Sequence, residues 1–478
     1  MASVVLRLVV EGARHLFEAA HWLLWTLPVW GVLQLLLYKA WKLPLNLTTD
    51  AVIERMRAGK PIDALLAPGI LLATAMTIVG GGSVGTEAGA LQIGASLGST
   101  IGKRFHLRNV LHDGGAADVH GINQYMAATG MAAAFSALFF APLGSCMLVL
   151  ELMRFVPLRY VCSMLVACFC AYAVSASVHI GDIITTVPVP ELTWRMAGVC
   201  VVVGIAAAIG GSVFALGIHL VQGLTARLNA NQFLWVVVGG VLFAVLVAAC
   251  GWWRLTGSGG AELNEVLRVP DVSADFLVKM LLTMICLGFW FKGGEIMPSL
   301  CIGGLLGSAC FAMTGAEPLT GAALGAIAFL AAFNRCPVSA FLLGCEIFGW
   351  AMAPCMGITV LVSFLFGYPV GIYGSAIDVF TRSGWQRLTE TLRGYALLNQ
   401  SSRQAGFIDF AMAADRAIKR AAATGRVAVQ DEEKLWAAEH PERAKREEAR
   451  KERHDERHDE RKKDGAHTRN PLENGHSS

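Results

Sequence analysis

Gly80-Gly81-Gly82-Ser83-Val84-Gly85-Thr86-Glu87-Ala88-Gly89-Ala90-Leu91-Gln92-Ile93-Gly94 is a run of glycines, one carboxylate, and then small and apolar residues. Apolar sequence flanks it, Ile70 to Val79 before and Leu91 to Ile101 after. Glu87 therefore lies at membrane depth, where a charge is costly unless it meets water, a partner or a proton. The glycines let the backbone turn and approach closely. The helix after Gly85 then starts within the bilayer, its bare N–H groups forming an anion site beside an acid able to occupy it. The competing reading of this stretch alone is that the glycines pack helices and Glu87 snorkels to an interface.

The remaining composition favours the membrane setting. The 478 residues are 55% hydrophobic and 16% charged, with mean hydropathy +0.53. Soluble domains carry about 25% charged residues, and here much of the charge falls after Arg382. From Val4 to Leu365 apolar segments follow one another, many long enough to span a bilayer. The chain thus reads as an all-α polytopic membrane protein. The net charge of +3 and pI near 8.2 average an apolar core with a charged tail and imply no nucleic-acid partner. Val4 to Trp41 is too long for a cleavable signal segment. The 12 cysteines lie between Cys146 and Cys355 without metal-ligand spacing and read as small buried hydrophobes. No cofactor or metal is implied.

Taken in order, Val4 to Tyr38 predicts one long tilted helix or a helix pair. Pro44 and Asn46 break the chain, and Thr48, Thr49 and Asp50 are placed to cap a helix over Ala51 to Arg57. Ala58 to Pro61 is a turn, Ile62 to Val79 a helix, and Gly85 to Arg104 the next. His106 to Gln124 reads as a polar loop. Its His112, Asp113, Asp118 and His120 lack the tight spacing of a metal site. Helices are expected over Tyr125 to Phe140, Ala141 to Arg154, Leu158 to Val178, Met196 to Leu228 and Phe233 to Cys250. Thr185 to Pro190 and Gly251 to Asp275 read as loops. Phe276 to Trp290, Gly293 to Met313, Gly321 to Phe333, Pro337 to Trp350 and Ala353 to Phe366 complete the membrane part.

Two blocks resemble each other. Ile93-Gly94-Ala95-Ser96-Leu97-Gly98-Ser99 is matched by Ile302-Gly303-Gly304-Leu305-Leu306-Gly307-Ser308. Later, Ala134-Phe135-Ser136 through Pro142, then Glu151, is matched by Ala332-Phe333-Asn334 through Pro337, then Glu346. Each block is entered through glycines and an acid, Gly85-Thr86-Glu87 and Gly293-Gly294-Glu295. Repeats with glycine-broken helices at matching places point to a transporter with its site at the repeat interface.

With these residues in view, the stretch from Val4 to Arg382 resembles the CLC family of anion channels and proton-coupled anion antiporters. Gly85-Thr86-Glu87-Ala88-Gly89 is similar to the family's G-[KR]-E-G-P stretch, with Glu87 at the gating glutamate. Ala128-Thr129-Gly130 through Ala141-Pro142-Leu143 to Glu151 resembles its ATG…NAPL…EE stretch. Gly293-Gly294-Glu295-Ile296-Met297-Pro298 resembles G-G-x-F-x-P, and Ile372-Tyr373-Gly374 the site of the pore tyrosine. The departures are informative. The family's G-S-G-I-P loop is replaced by Leu43 to Asp50, and the inner glutamate aligns with Leu152. Phe291 to Glu295 and the N-L-x-x-D run at Asn46 to Asp50 resemble the fluoride-exporting branch, although the threonine expected two positions after the acid is Met297.

The resemblance implies a CLC-type inverted repeat of tilted and broken transmembrane helices over residues 1–382. A charged cytoplasmic tail over 383–478 follows, without the paired nucleotide-binding (CBS) modules some members carry. It implies that the helices after Asn46, Gly85 and Gly294 converge. Their N–H groups, at Asn46, Gly85, Thr86, Ala88, Ile296 and Met297, together with the Tyr373 hydroxyl, would replace the water shell of a halide. Glu87 would compete with the anion and carry the proton, with Glu295 as candidate second acid or as a structural carboxylate. Glu151 and Glu346 read as helix-end acids. The implied function is chloride or fluoride transport by proton antiport. The alternative is a passive voltage-dependent chloride channel of the same fold, and an intramembrane enzyme lacks a nucleophile–base pair. A homodimer in the inner (plasma) membrane, with protons, halide and lipid as partners, follows from the resemblance.

Overall fold

Proline and glycine set where the helices begin and end. Proline is the first or second residue of five of the described helices, at Pro28, Pro142, Pro318, Pro337 and Pro354, where its missing N–H has no intrahelical acceptor to lose. The computed structural model describes residues 2–45, 47–105, 119–153, 155, 160–178, 187–228, 231–368 and 371–373. The chain forms two compact units, Met1–Gly425 and Arg426–Ser478, and every described residue lies in the first. The expected boundary at 382/383 and the tail fall outside the described residues.

The first half holds α1 (Ala2–Ala19), α2 (Leu27–Ala40), α3 (Thr49–Arg57), α4 (Leu66–Val79), α5 (Glu87–Arg104), α6 (Val119–Phe139), α7 (Pro142–Leu152) and α8 (Val161–Ser177). The second holds α9 (Trp194–Leu228), α10 (Gln232–Cys250), α11 (Gly260–Val266), α12 (Asp275–Gly288), α13 (Ile296–Thr314), α14 (Pro318–Asn334), α15 (Pro337–Phe348) and α16 (Ala353–Phe366). The described residues contain no strand, only an isolated bridge between Gly85 and Gly294. This is an all-α polytopic membrane fold.

Several sequence expectations are refined. Val4 to Tyr38 is a helix pair, with a short 3-10 turn at His21–Thr26 between α1 and α2. Thr48 caps α3, its hydroxyl accepting from Ala51 N at 3.3 Å. Val119 to Gln124, expected in a loop, belongs to α6: the helix outruns its apolar stretch by almost two turns, so hydropathy ends before the backbone ladder does. Gly251 to Asp275 contains the short helix α11 and a 3-10 turn at Trp253–Leu255. His112, Asp113 and Asp118 lie outside the described residues; among those described, no group of His, Cys, Asp or Glu is placed to hold a metal.

Length separates two kinds of helix. His21–Ala40, Trp194–Leu228, Gln232–Cys250 and Ile296–Thr314 are long and apolar enough to cross a bilayer. Six apolar helical segments, among them Leu66–Val79, Pro142–Leu152 and Pro337–Phe348, have only 10–17 residues. A span needs about 20 residues, so many of the apolar segments are broken pieces whose ends must be satisfied inside the protein. Around them, exposed apolar side chains such as Val166, Phe169, Ile209, Val241 and Leu361 give the outer surface a bilayer requires.

The repeat is visible as packing. In the first half α5 and α6 cross so closely that a Cβ on Gly94 would stand 2.3 Å from Gly130 O, and one on Gly130 2.2 Å from Gly94 O. In the second half α13 and α14 do the same: a Cβ on Gly303 would stand 2.6 Å from Gly325 O, and one on Gly307 2.0 Å from Gly321 O. Small residues are required at both crossings because the backbones touch. Two non-glycine residues in left-handed backbone, Phe140 (φ 55°) and Arg335 (φ 58°), each stand two positions before the matched prolines Pro142 and Pro337. Such conformations are rare for side-chain-bearing residues, and their recurrence marks one chain path used twice.

Candidate functional site: two helix N-termini and their carboxylates

The halves meet backbone to backbone. Gly85 N donates to Gly294 O at 2.5 Å, and Gly294 N to Gly85 O at 2.7 Å. Counting back from Ile93 and Ile302, these two glycines are repeat mates, so the pseudo-two-fold relation passes through this bridge. A side chain on Gly85 would collide with Glu87 Oε2 and with Pro298, so only glycine fits there. The same counting sets the register of the two acids. Glu87 is the mate of Ile296, and Glu295 is the mate of Thr86, so the two acids are not equivalent positions.

From the bridge the two helices depart, α5 beginning at Glu87 and α13 at Ile296. The buried Glu87 carboxylate folds back across the bridge. Its Oε2 accepts from Met297 N at 3.3 Å, and its Oε1 accepts from the Thr86 hydroxyl. The side chain of one helix's first residue therefore sits on the N-terminus of the other, where the helix dipole and unpaired N–H groups favour negative charge.

Glu295, at the N-cap of α13, faces elsewhere. Its Oε1 accepts from the hydroxyl of the fully buried Tyr373. The Tyr373 hydroxyl, expected to face the anion, thus donates to Glu295 while Glu87 lies on α13. Ile372 N donates to Phe333 O at 3.1 Å, which fixes this segment against the end of α14. Arg57, at the end of α3, donates to Tyr373 O at 3.1 Å and to Leu152 O at 2.5 and 2.9 Å.

The sequence-chosen residues are therefore largely brought together: Gly85, Thr86, Glu87, Ile296 and Met297 around the bridge, with Glu295 and Tyr373 paired beside it. Ala88 follows in the first turn of α5. Asn46 lies outside the described residues. The helix it precedes, α3, packs on α5, with Gln92 Nε2 donating to Thr49 Oγ1 at 3.0 Å.

Three supporting residues complete the site; the sequence reading offered Lys292 as a partner of Glu295, and missed Gln34 and Arg57. Lys292 is buried and its ammonium donates to Leu45 O and Leu47 O, with Nζ 4.9 Å from the centre of the Tyr38 ring. Gln34 Oε1 accepts from Lys292 N and from Thr77 Oγ1, both at 3.1 Å. Arg57 is the third. Lys292 carried a signal, a cation inside an apolar run; Gln34 and Arg57 carried none, since their partners are distant in sequence.

Glu151 and Glu346 take no place at the bridge. Glu151, at the end of α7, accepts from Val338 N and Ser339 N of α15 at 3.3 and 2.9 Å. Glu346, near the end of α15, accepts from Leu143 N and Gly144 N of α7 at 2.9 and 2.7 Å. They are reciprocal helix caps.

Comparison with known proteins accords with this geometry. A family model described as voltage gated chloride channel matches residues 31–368. A chloride/fluoride channel protein of Pseudomonas syringae pv. tomato is 29% identical over 386 residues, covering 78% of this chain and 82% of that protein. An H(+)/Cl(-) exchange transporter of Citrobacter koseri is 28% identical over 324 residues, and the match covers 62% of this chain and 65% of that protein. Among solved structures, a CLC-type fluoride/proton antiporter superposes with a TM-score of 0.69 at 23% identity, covering 78% of this chain and 93% of that one. A slow cyanobacterial Cl-/H+ antiporter superposes with a TM-score of 0.65 at 20% identity, covering 80% and 93%. At these identities the two superpositions speak for the fold.

Proposed function

The chain belongs to the voltage-gated chloride channel (CLC) family, and from that premise we propose that it exchanges a halide for protons across the membrane. The observation that carries this is the Glu87 carboxylate lying on the N-terminus of α13. A carboxylate in that position is a tethered anion occupying an anion site. Protonation removes its charge and releases it, and a halide takes the N–H groups in its place. When the halide leaves, the deprotonated carboxylate returns. Each cycle thus couples an anion step to a proton step. Backbone N–H groups suit this task, because conduction needs binding weak enough to let the ion leave.

Glu295 serves as the second acid, since Leu152 stands where the family's inner glutamate would be. Its bond from Tyr373 gives it a partner that both donates and accepts. Met297, Thr86, Ala88 and Ile296 supply the backbone around the anion, with the segment at Asn46 completing the third side; Gly85, expected to donate as well, gives its N–H to Gly294 O instead. Lys292, which binds the carbonyls of Leu45 and Leu47, fixes that segment. The reading takes fluoride ahead of chloride as cargo. It draws on the Asn46-Leu47-Thr48-Thr49-Asp50 run, on Glu295, and on the Pseudomonas relative whose name includes both chloride and fluoride. It extends to a homodimer in the inner membrane with one pore per subunit and a cytoplasmic C-terminus, consistent with the Lys- and Arg-rich tail.

The test is the purified protein in liposomes loaded with fluoride or chloride, with anion efflux and proton uptake recorded together. Antiport drives protons uphill on an anion gradient. Anion efflux without proton movement identifies a channel, and efflux of neither anion ends the transport reading. A chloride rate equal to or above the fluoride rate overturns the cargo assignment.

A further inference from the structure

The polar side chains of α12 form one stripe. Asp275, Lys279, Thr283 and Cys286 follow one another at intervals of four, four and three residues, so they share a face of the helix. Asp275 meets Arg254 at the exposed end, and the other three are fully buried. A buried ammonium is costly unless its donors are used. Lys279 Nζ donates to Leu255 O and Gly257 O, both at 2.9 Å. Gly257 N in turn donates to Gly81 O at 3.2 Å, inside the glycine stretch that leads to Glu87.

The next two members of the stripe hold that stretch directly. Cys286 Sγ accepts from Ser83 N at 3.2 Å, and Thr283 Oγ1 lies 2.9 Å from Ser83 Oγ. The single hydroxyl hydrogen of Thr283 goes to Lys279 O, at 2.9 Å, so Ser83 is the donor in that pair. Both donors of Ser83 thus point at α12. Two residues on, Gly85 is bridged to Gly294. The root of the Glu87 tether is therefore gripped by α12 at Gly81 and Ser83 and by the other half at Gly85. The carboxylate beyond it reaches Met297 N by one long bond.

We infer that the α12 stripe is a positioning device: it fixes the turn before Glu87 so that the side chain alone moves, and it thereby keeps anion passage tied to proton passage. The inference rests on the antiport reading above. Thr283 and Ser83 are positioning residues that act through Glu87 and carry no proton themselves. A loosened turn lets the carboxylate return to α13 off its line, and an anion then passes without a proton. The loss shows as slippage in the anion-to-proton ratio, with anion flux maintained.

The experiment records anion efflux and proton uptake in liposomes for the full-length wild type, Ser83→Ala, Thr283→Val, Thr283→Ser and the double variant Ser83→Ala/Thr283→Val, with thermal unfolding of each. Valine copies the shape of threonine without the hydroxyl. The double variant removes both partners of the bond together, the change that costs folding least. The expected result is a rise of about twofold or more in anions moved per proton for Ser83→Ala and for Thr283→Val, with no fall in anion flux. The double variant should be no worse than the worse single, because all three break the same bond. Thr283→Ser, which keeps the hydroxyl, should hold the wild-type ratio; a change in folding alone would not produce this pattern. A wild-type ratio in a folded Ser83→Ala or Thr283→Val overturns the inference. So does a double variant that sums the effects of the singles, or a Thr283→Ser that slips as far as Thr283→Val. Ser83→Ala decides the matter by itself if the threonine variants unfold. Failure of the antiport reading shows separately, as absent proton movement in the wild type.

Discussion

The protein builds two pairs of opposed helix N-termini across its pseudo-two-fold relation and finishes them in opposite ways. At α7 and α15 each N-terminus is closed by a carboxylate from the far end of the other helix. Glu151 takes two N–H groups of α15, and Glu346 takes two of α7. At α5 and α13 the carboxylate comes from the first residue of α5. Glu87 holds one N–H of α13, at 3.3 Å, beside its Thr86 contact. Two bonds from a distant, fixed helix end make a permanent cap. At Glu87 a single, long N–H bond crosses to the other helix, and the second bond comes from the adjacent Thr86. The difference teaches that two buried acids at helix N-termini can be held unequally, and the proposed exchange needs the less firmly held one, Glu87, to be the one that moves.

The largest expected effect comes from taking the charge off the movable carboxylate. Glu87→Gln keeps size and hydrogen bonding but can neither carry a proton nor compete as an anion. Coupled proton flux in liposomes should fall by about a hundredfold or more, with anion flux either passive or stopped. Proton coupling at the wild-type level in this variant would erase the distinction between the two pairs.

The fixed pair should respond in stability instead. Glu151→Ala or Glu346→Ala leaves two buried or half-buried N–H groups of the opposite helix without their carboxylate, at up to about 1–3 kcal/mol each. Thermal unfolding in detergent should drop accordingly. Glu151→Gln, which keeps one acceptor oxygen, should lose less stability and retain proton coupling. A Glu151→Gln variant that folds normally but uncouples would move Glu151 into the proton path.

Next in size is the Glu295–Tyr373 pair. Glu295→Gln should reduce the number of protons moved per anion without abolishing anion flux. Tyr373→Phe, which removes only the hydroxyl donor, should produce a smaller change in the same direction. Equal and complete loss of flux in both variants would mark the pair as structural.

The smallest effect lies outside the membrane part, in the loop that holds Arg254. Its guanidinium reaches Asp271 at 2.8 Å and Asp275 and Glu265 at 3.4 Å. Burial alone would raise the Asp271 carboxyl, but bonds from Ser273 and Arg254 outweigh it and hold the group below its usual range. A depressed carboxyl stabilises the fold at all pH values above its unfolded pKa, and the contribution fades as pH falls through the lower folded value. Arg254→Gln should therefore cost less than about 1 kcal/mol at neutral pH. The wild-type advantage should vanish only in acid below the ordinary carboxylate range, as measured by unfolding at several pH values. An advantage that grows on acidification would reverse the assigned sign.

Much of the architecture was legible from local chemistry. Apolar runs located the helices, prolines located their starts, and the Ile93–Ser99 and Ile302–Ser308 pair exposed the repeat. The Glu87 stretch pointed to the candidate site because a lone carboxylate among glycines has few inexpensive explanations at membrane depth. Less was legible where hydropathy and backbone disagree. The start of α6 is polar, and α11 sits in what reads as a loop, since a short helix in a polar stretch leaves no long apolar pattern. Nor does the likeness of Gly85-Thr86-Glu87 to Gly293-Gly294-Glu295 show that the two acids differ in register, because the helices themselves align one position apart from it.

The sequence by itself determined that this is a helical membrane protein of two related halves, with an acid at the mouth of a glycine-broken helix. Those properties follow from neighbours along the chain, through the cost of burying charge and the spacing of small residues. Only the tertiary structure decided which carboxylate meets which N–H group. It set Glu87 on α13 and Glu295 on Tyr373, made caps of Glu151 and Glu346, and tied Ser83 to α12. These contacts join residues far apart in the chain, and hydrogen bonds lose their strength within tenths of an ångström. Composition and spacing carry no such distances; the packed glycine crossings of the two halves do.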